Sequence, residues 1–191
     1  MDNFSTGNLE NLRSHVGKEN FRIIRGDVRN KADVKKAAKD VDYIFHLAAI
    51  ISVELSVKKP SLVNEVNVCG TLNILEESLK LNLKRFVYLS SCAVYGNPVY
   101  LPIDEEHPTK PLSPYGVSKL TAEHYCMVFY KIYGVQTVCL RLFNVYGPRQ
   151  SSGPYSGVIS KFVGCLKRRE APVIFGDGEQ NLYIGNGFLL F

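Results

Sequence analysis

A chain of 191 residues, 46% hydrophobic and 21% charged, has room for one well-packed domain and lies outside the disordered and fibrous classes. Its net charge of +5 is spread out, the tightest basic group being Lys167-Arg168-Arg169 at an expected helix end, where cations are favoured anyway, so no nucleic-acid partner is expected. Five cysteines form no C-x-x-C pair, no apolar run reaches the roughly 18 residues of a membrane span, and the N-terminus lacks a signal-peptide pattern, so a cytoplasmic protein with reduced thiols, no metal and no membrane contact is expected.

The chain opens "MDNFSTGNLENL", turn chemistry of the kind that follows a strand. "FRIIRGD" (21–27) and "VDYIFHLAA" (41–49) then read as short apolar strands, separated by the charged, helix-compatible "VRNKADVKKAAKD". A long helix is expected from about Ser61 to Leu81, a strand at "KRFVYLSS" (84–91), and a Pro-rich loop. A second long helix follows from about Ser113 to Tyr133, then a strand at "VQTVCLRLFN" (135–144). Strands apolar on both faces, alternating with helices, predict an α/β fold with a doubly wound parallel sheet. In such sheets ligands sit at the carboxyl ends of the strands, where Asp27, Ala48, Ser90, Ser91 and Asn144 fall.

"SPYGVSK" (113–119) places Tyr115 and Lys119 four residues apart on one helix face. An ammonium beside a phenol favours the phenolate, lowering a pKa that starts near ~10 towards the range of a general base. Alone, the pair reads better as a surface contact, since chance gives about one Tyr-x-x-x-Lys match in a chain of this composition. Its context is "YLSSCAVYG" (88–96), a buried strand ending in two hydroxyls, 24 residues before Tyr115.

Here the sequence resembles the extended short-chain dehydrogenase/reductase family, nucleotide-sugar epimerase/dehydratase branch, with a Rossmann-like fold. The resemblance runs from Asp2 to Gln180 and implies a catalytic trio of Ser91, Tyr115 and Lys119. It further implies NAD as cofactor. Asp2 and Asn3 would lie by the adenosine ribose, Asp27 and Val28 of "GDVRN" by the adenine, and Leu47, Ala48 and Ala49 of "HLAA" along the cofactor. Asn67 of "NVCGT" would be on the cofactor side, with Tyr115 and Lys119 at the nicotinamide end. "RLFNVYGPRQ" and "FGDGEQ" are similar to the nucleotide-sugar branch, in which Asn144, with Ser91 and Tyr115, would meet a UDP-sugar. The 4,6-dehydratases place an Asp-Glu pair after the catalytic hydroxyl, and decarboxylases commonly a Glu at the second of those places. This chain has Cys92-Ala93, which leaves the 4-epimerases of the UDP-glucose/UDP-galactose type. A homodimer through the two long helices is a further implication.

On the same resemblance, Met1 falls at the end of a second strand. Residues 1–180 are therefore expected to be an incomplete NAD-binding domain, lacking the first βαβ unit with its glycine-rich turn and the C-terminal substrate domain, and 181–191 an atypical tail. Two or three lost charge-assisted hydrogen bonds to the diphosphate, at about 1.5–3 kcal/mol each, would move a micromolar site into the millimolar range. A fragment of low activity is expected, the alternative being a non-catalytic interaction module built on the same fold.

Overall fold

The computed structural model describes residues 1–147, 149–150, 158–174 and 184–186. They fall into two compact units, Met1–Arg141 and Leu142–Phe191.

In the first unit, β1 (Tyr43–His46), β2 (Arg85–Ser91) and β3 (Thr137–Leu142) form a sheet in that order. β1 and β2 are parallel, with Ile44 opposite Phe86 and His46 opposite Tyr88. Local chemistry sets the helices. Asn30 caps α1 (Lys31–Ala37) by accepting the amides of Ala32 and Asp33, and Ser52 caps α2 (Val53–Lys58) at the Leu55 amide. Pro60 opens α3 (Pro60–Asn64), where its missing donor costs nothing. The helix expected from Ser61 to Leu81 runs on from α3 through a π-helical turn, Glu65–Cys69, into α4 (Gly70–Ser78). Gly70 lets α4 approach the 26–30 segment, since a Cβ there would lie 2.6 Å from a Val28 methyl.

The helix α5 (Pro114–Tyr133) has the bounds its pattern predicts, with Ser113 at the N-cap and Gly134, at φ 74°, closing it. Its buried residues Tyr115, Lys119, Ala122, Cys126 and Phe129 recur every three or four positions, one stripe laid on the sheet. Phe86, Tyr88, Ile74, Leu75 and Val34 complete the core beneath that stripe.

The strand expected at 21–27 does not form. A ladder needs a partner of matching length, and among the described residues this segment pairs only with Asp2, in one parallel bridge. The Asp2 amide donates to the Ile24 carbonyl and the Gly26 amide to the Asp2 carbonyl, each at 3.1 Å. β1 is thus an edge of its sheet, and Tyr43 and Phe45 on its outer face are 54% and 59% exposed.

In the second unit, β4 (Asn144–Tyr146) pairs in parallel with β5 (Ile184–Asn186), and α6 is Val158–Lys167. "FGDGEQ" and most of 181–191 lie outside the described residues.

Candidate active site

β2 delivers Ser91 at its carboxyl end in extended conformation, its Oγ accepting the Ala93 amide at 3.2 Å and starting a short 3-10 turn, Cys92–Val94. That turn lies against the first turn of α5. A Cβ on Gly116 would stand 2.6 Å from the Ala93 carbonyl oxygen, so only glycine permits the approach that seats Tyr115 against Ser91. Tyr115 is buried, and burial pushes its phenol above the ordinary value while the neighbouring Ser91 side chain pulls it down. The structure therefore differs from the expectation that Lys119 lowers this pKa. The Lys119 ammonium is committed elsewhere, donating to the Leu89 carbonyl at 2.7 Å, and burial lowers its pKa to about 8.

Behind these residues runs a buried hydrogen-bonded spine. Asn67, 1% exposed, accepts the Ile50 amide at 2.8 Å through Oδ1. Its Nδ2 donates to the Ile50 carbonyl and to Ser118 Oγ, both at 3.0 Å. Ser118 donates in turn to the Tyr115 carbonyl at 2.7 Å. Both ends of the Asn67 amide are thus engaged by protein, and the residue joins the 47–52 segment to the helix that carries Tyr115. Its own carbonyl accepts the Thr71 hydroxyl at 2.6 Å, which leaves Thr71 Oγ1 to accept from Nε2 of buried His46 at 2.8 Å. This hydrogen bond selects the Nε2–H tautomer of His46, and burial with the nearby Lys119 charge keeps the ring neutral, its pKa lowered to about 3. Sequence reasoning missed His46, Thr71 and Ser118. The available signal was a polar residue inside each of three otherwise quoted motifs.

A cavity of about 630 Å³ lies within the first unit. Asp2, Asn3, Asp27 and Val28 line it from the N-terminal segments, and Leu47, Ala48 and Ala49 line it beyond β1. Seven residues singled out as cofactor contacts are therefore brought to one cavity, while Asn67, Tyr115 and Lys119 are not among its lining residues. Asp2 Oδ1 accepts the Phe4 amide. Asn3 donates to Asp27 at 3.0 Å, and the Arg29 guanidinium grips the same carboxylate at 2.8 Å, holding it well below the usual carboxylate range. Asn144 belongs to the second unit, at the start of β4. Among the described residues, no cluster of three His, Cys, Asp or Glu could hold a metal ion, and no helix is long and apolar enough to cross a membrane.

Residues 1–182 match the Epimerase family, the NAD dependent epimerase/dehydratase family. The chain belongs to it. Members are NAD-dependent, and the fold and cofactor implied by the motifs are those of this family. UDP-glucose 4-epimerase of Mycolicibacterium smegmatis is 35% identical over 182 residues, which are 94% of this chain and 58% of that protein. UDP-N-acetylglucosamine 4-epimerase of Methanobrevibacter ruminantium, solved with UDP-N-acetylmuramic acid, superposes with TM-score 0.91 at 41% identity, covering 97% of this chain and 59% of that one. UDP-glucose 4-epimerase of Thermotoga maritima, solved with UDP-glucose, gives TM-score 0.89 at 34% identity, with 97% and 60% covered. The chain thus spans about three fifths of the length of these relatives.

Proposed function

We propose that this epimerase-family chain carries the NAD-binding and catalytic core of a UDP-sugar 4-epimerase acting on UDP-glucose and UDP-galactose. The observation that carries the reading is the seating of Tyr115 against Ser91 at the end of β2, one helical turn from Lys119. NAD, when bound, supplies reversible hydride transfer. Asp2 and Asn3 would hold the adenosine ribose, Asp27 and Val28 the adenine, and Leu47 to Ala49 the length of the cofactor. The cavity fits the adenosine part of this role, with Asp2, Asn3, Asp27 and Arg29 at one end and the apolar Leu47, Ala48 and Ala49 at the other. Tyr115 takes the proton from the sugar's 4-hydroxyl and later returns it, Ser91 donates to the oxygen at carbon 4, and Lys119 stays charged beside the nicotinamide ribose. Asn144 would contact the sugar nucleotide, and α5 would supply a homodimer face.

Cys92-Ala93 after Ser91 supports epimerisation over dehydration, since neither side chain supplies the acid and base that loss of water requires. The test is conversion of UDP-glucose to UDP-galactose by the purified chain with excess NAD⁺, with UDP-N-acetylglucosamine as a second arm. Tyr115→Phe is expected to reduce turnover by a factor on the order of 10²–10⁴, as is usual for a lost acid–base group. Turnover of neither sugar, or full turnover by Tyr115→Phe, overturns the reading.

A further inference from the structure

Lys119 is 3% exposed, and its compensation is unusual. The ammonium donates to the Leu89 carbonyl at 2.7 Å and lies 4.9 Å from the centroid of the Tyr88 ring. The carboxylate one turn along α5, Glu123, is gripped by Arg141 through three hydrogen bonds, the shortest 2.8 Å, so much of its charge is already neutralised. Tyr88 itself is buried at 1% exposure, and its hydroxyl has no hydrogen-bond partner among the described residues. An unpartnered buried hydroxyl gives no reason for a tyrosine here, whereas an aromatic face does.

We propose that the face of the Tyr88 ring is a positioning element for Lys119, holding its ammonium charged and aimed along β2 where a carboxylate would ordinarily serve. The groups facing Lys119 are Tyr88 from β2, His46 from β1 and Glu123 from α5, with Tyr115 buried one turn before it on the same helix. His46 packs 5.6 Å from the Tyr88 ring and is kept neutral by burial, so it does not oppose the ammonium. Only the catalytic consequence rests on the epimerase reading, in which a charged Lys119 holds the ribose.

The test is a pH titration of the Lys119 Nζ resonance by ¹⁵N-lysine NMR on the full chain, without cofactor or sugar, so that its outcome is independent of the conversion assay. Tyr88→Phe is expected to keep the midpoint. Tyr88→Leu is expected to lower it by about one pH unit, a tenfold loss in the ratio of ammonium to amine. Fluorinated phenylalanines at position 88, which preserve shape and drain the ring face of negative potential, should lower it stepwise, and they decide the matter if Tyr88→Leu does not fold. An unchanged midpoint across the fluorinated series, or a fall in Tyr88→Phe as large as in Tyr88→Leu, overturns the proposal.

Discussion

At Thr71 one hydroxyl proton decides which nitrogen of a buried imidazole carries its hydrogen. Because that proton is given to the Asn67 carbonyl, Thr71 can only accept, and His46 must present Nε2–H. Burial and the nearby Lys119 charge disfavour a second proton on His46, whose pKa of about 3 lies below its ordinary 6.5. The stability this neutral histidine contributes is fully present above pH 6.5 and is lost as pH falls from there towards 3, because the unfolded chain binds the proton first. Thermal melts should show stability falling between pH 6.5 and 4 by up to ~1.4 kcal/mol per unit, and His46→Leu should flatten that slope. A slope unchanged in the variant would remove His46 as its source. Ser91, Tyr115 and Lys119 stood out in the sequence because spacing along one strand and one helix face is a local property. His46, Thr71 and Ser118 did not, since their partners lie on other elements.

The elements are governed by a few close approaches. Gly116 is the clearest: adding a Cβ forces α5 off the 92–94 turn and carries Tyr115 away from Ser91. Gly116→Ala is expected to cost about 1–3 kcal/mol and at least a hundredfold in turnover. Ser113→Ala, which removes only the cap bond to the Gly116 amide, should cost about 1 kcal/mol with little effect on chemistry. Denaturant melts and the conversion assay separate the two; equal turnover in both variants would show that the close approach does not matter. The bounds of α5 were legible because a Ser-Pro start and a glycine stop bracket an amphipathic run. The strand expected at 21–27 was misread for a physical reason: apolar content favours a strand, but the ladder needs a neighbour, and the described chain offers only Asp2. The π-helical turn that sets Asn67 between Ile50 and Ser118 was equally invisible, since it is a matter of one backbone hydrogen bond per residue.

Over the whole molecule, charge on the cavity wall sets how firmly a dinucleotide is held. Its charged lining residues are Asp2, Asp27 and Arg29, and the guanidinium is already spent on Asp27. A diphosphate entering that cavity meets two carboxylates and no free side-chain cation on the described wall, so titration calorimetry of the 191-residue chain should give an NAD⁺ dissociation constant in the millimolar range. A low-micromolar value would contradict this electrostatic account. What the sequence by itself determined was the α/β alternation, the family and the placement of Ser90 and Ser91 at the end of β2, because periodicity and short-range spacing are written directly in the order of side chains. Only the tertiary structure decided that β1 is an open edge, that the Lys119 ammonium rests on the Tyr88 ring and donates to the Leu89 carbonyl, and that Asn67 is a strut. Each depends on which distant segment comes to lie against which, and burial then sets the charge and hydrogen bonding of the groups enclosed.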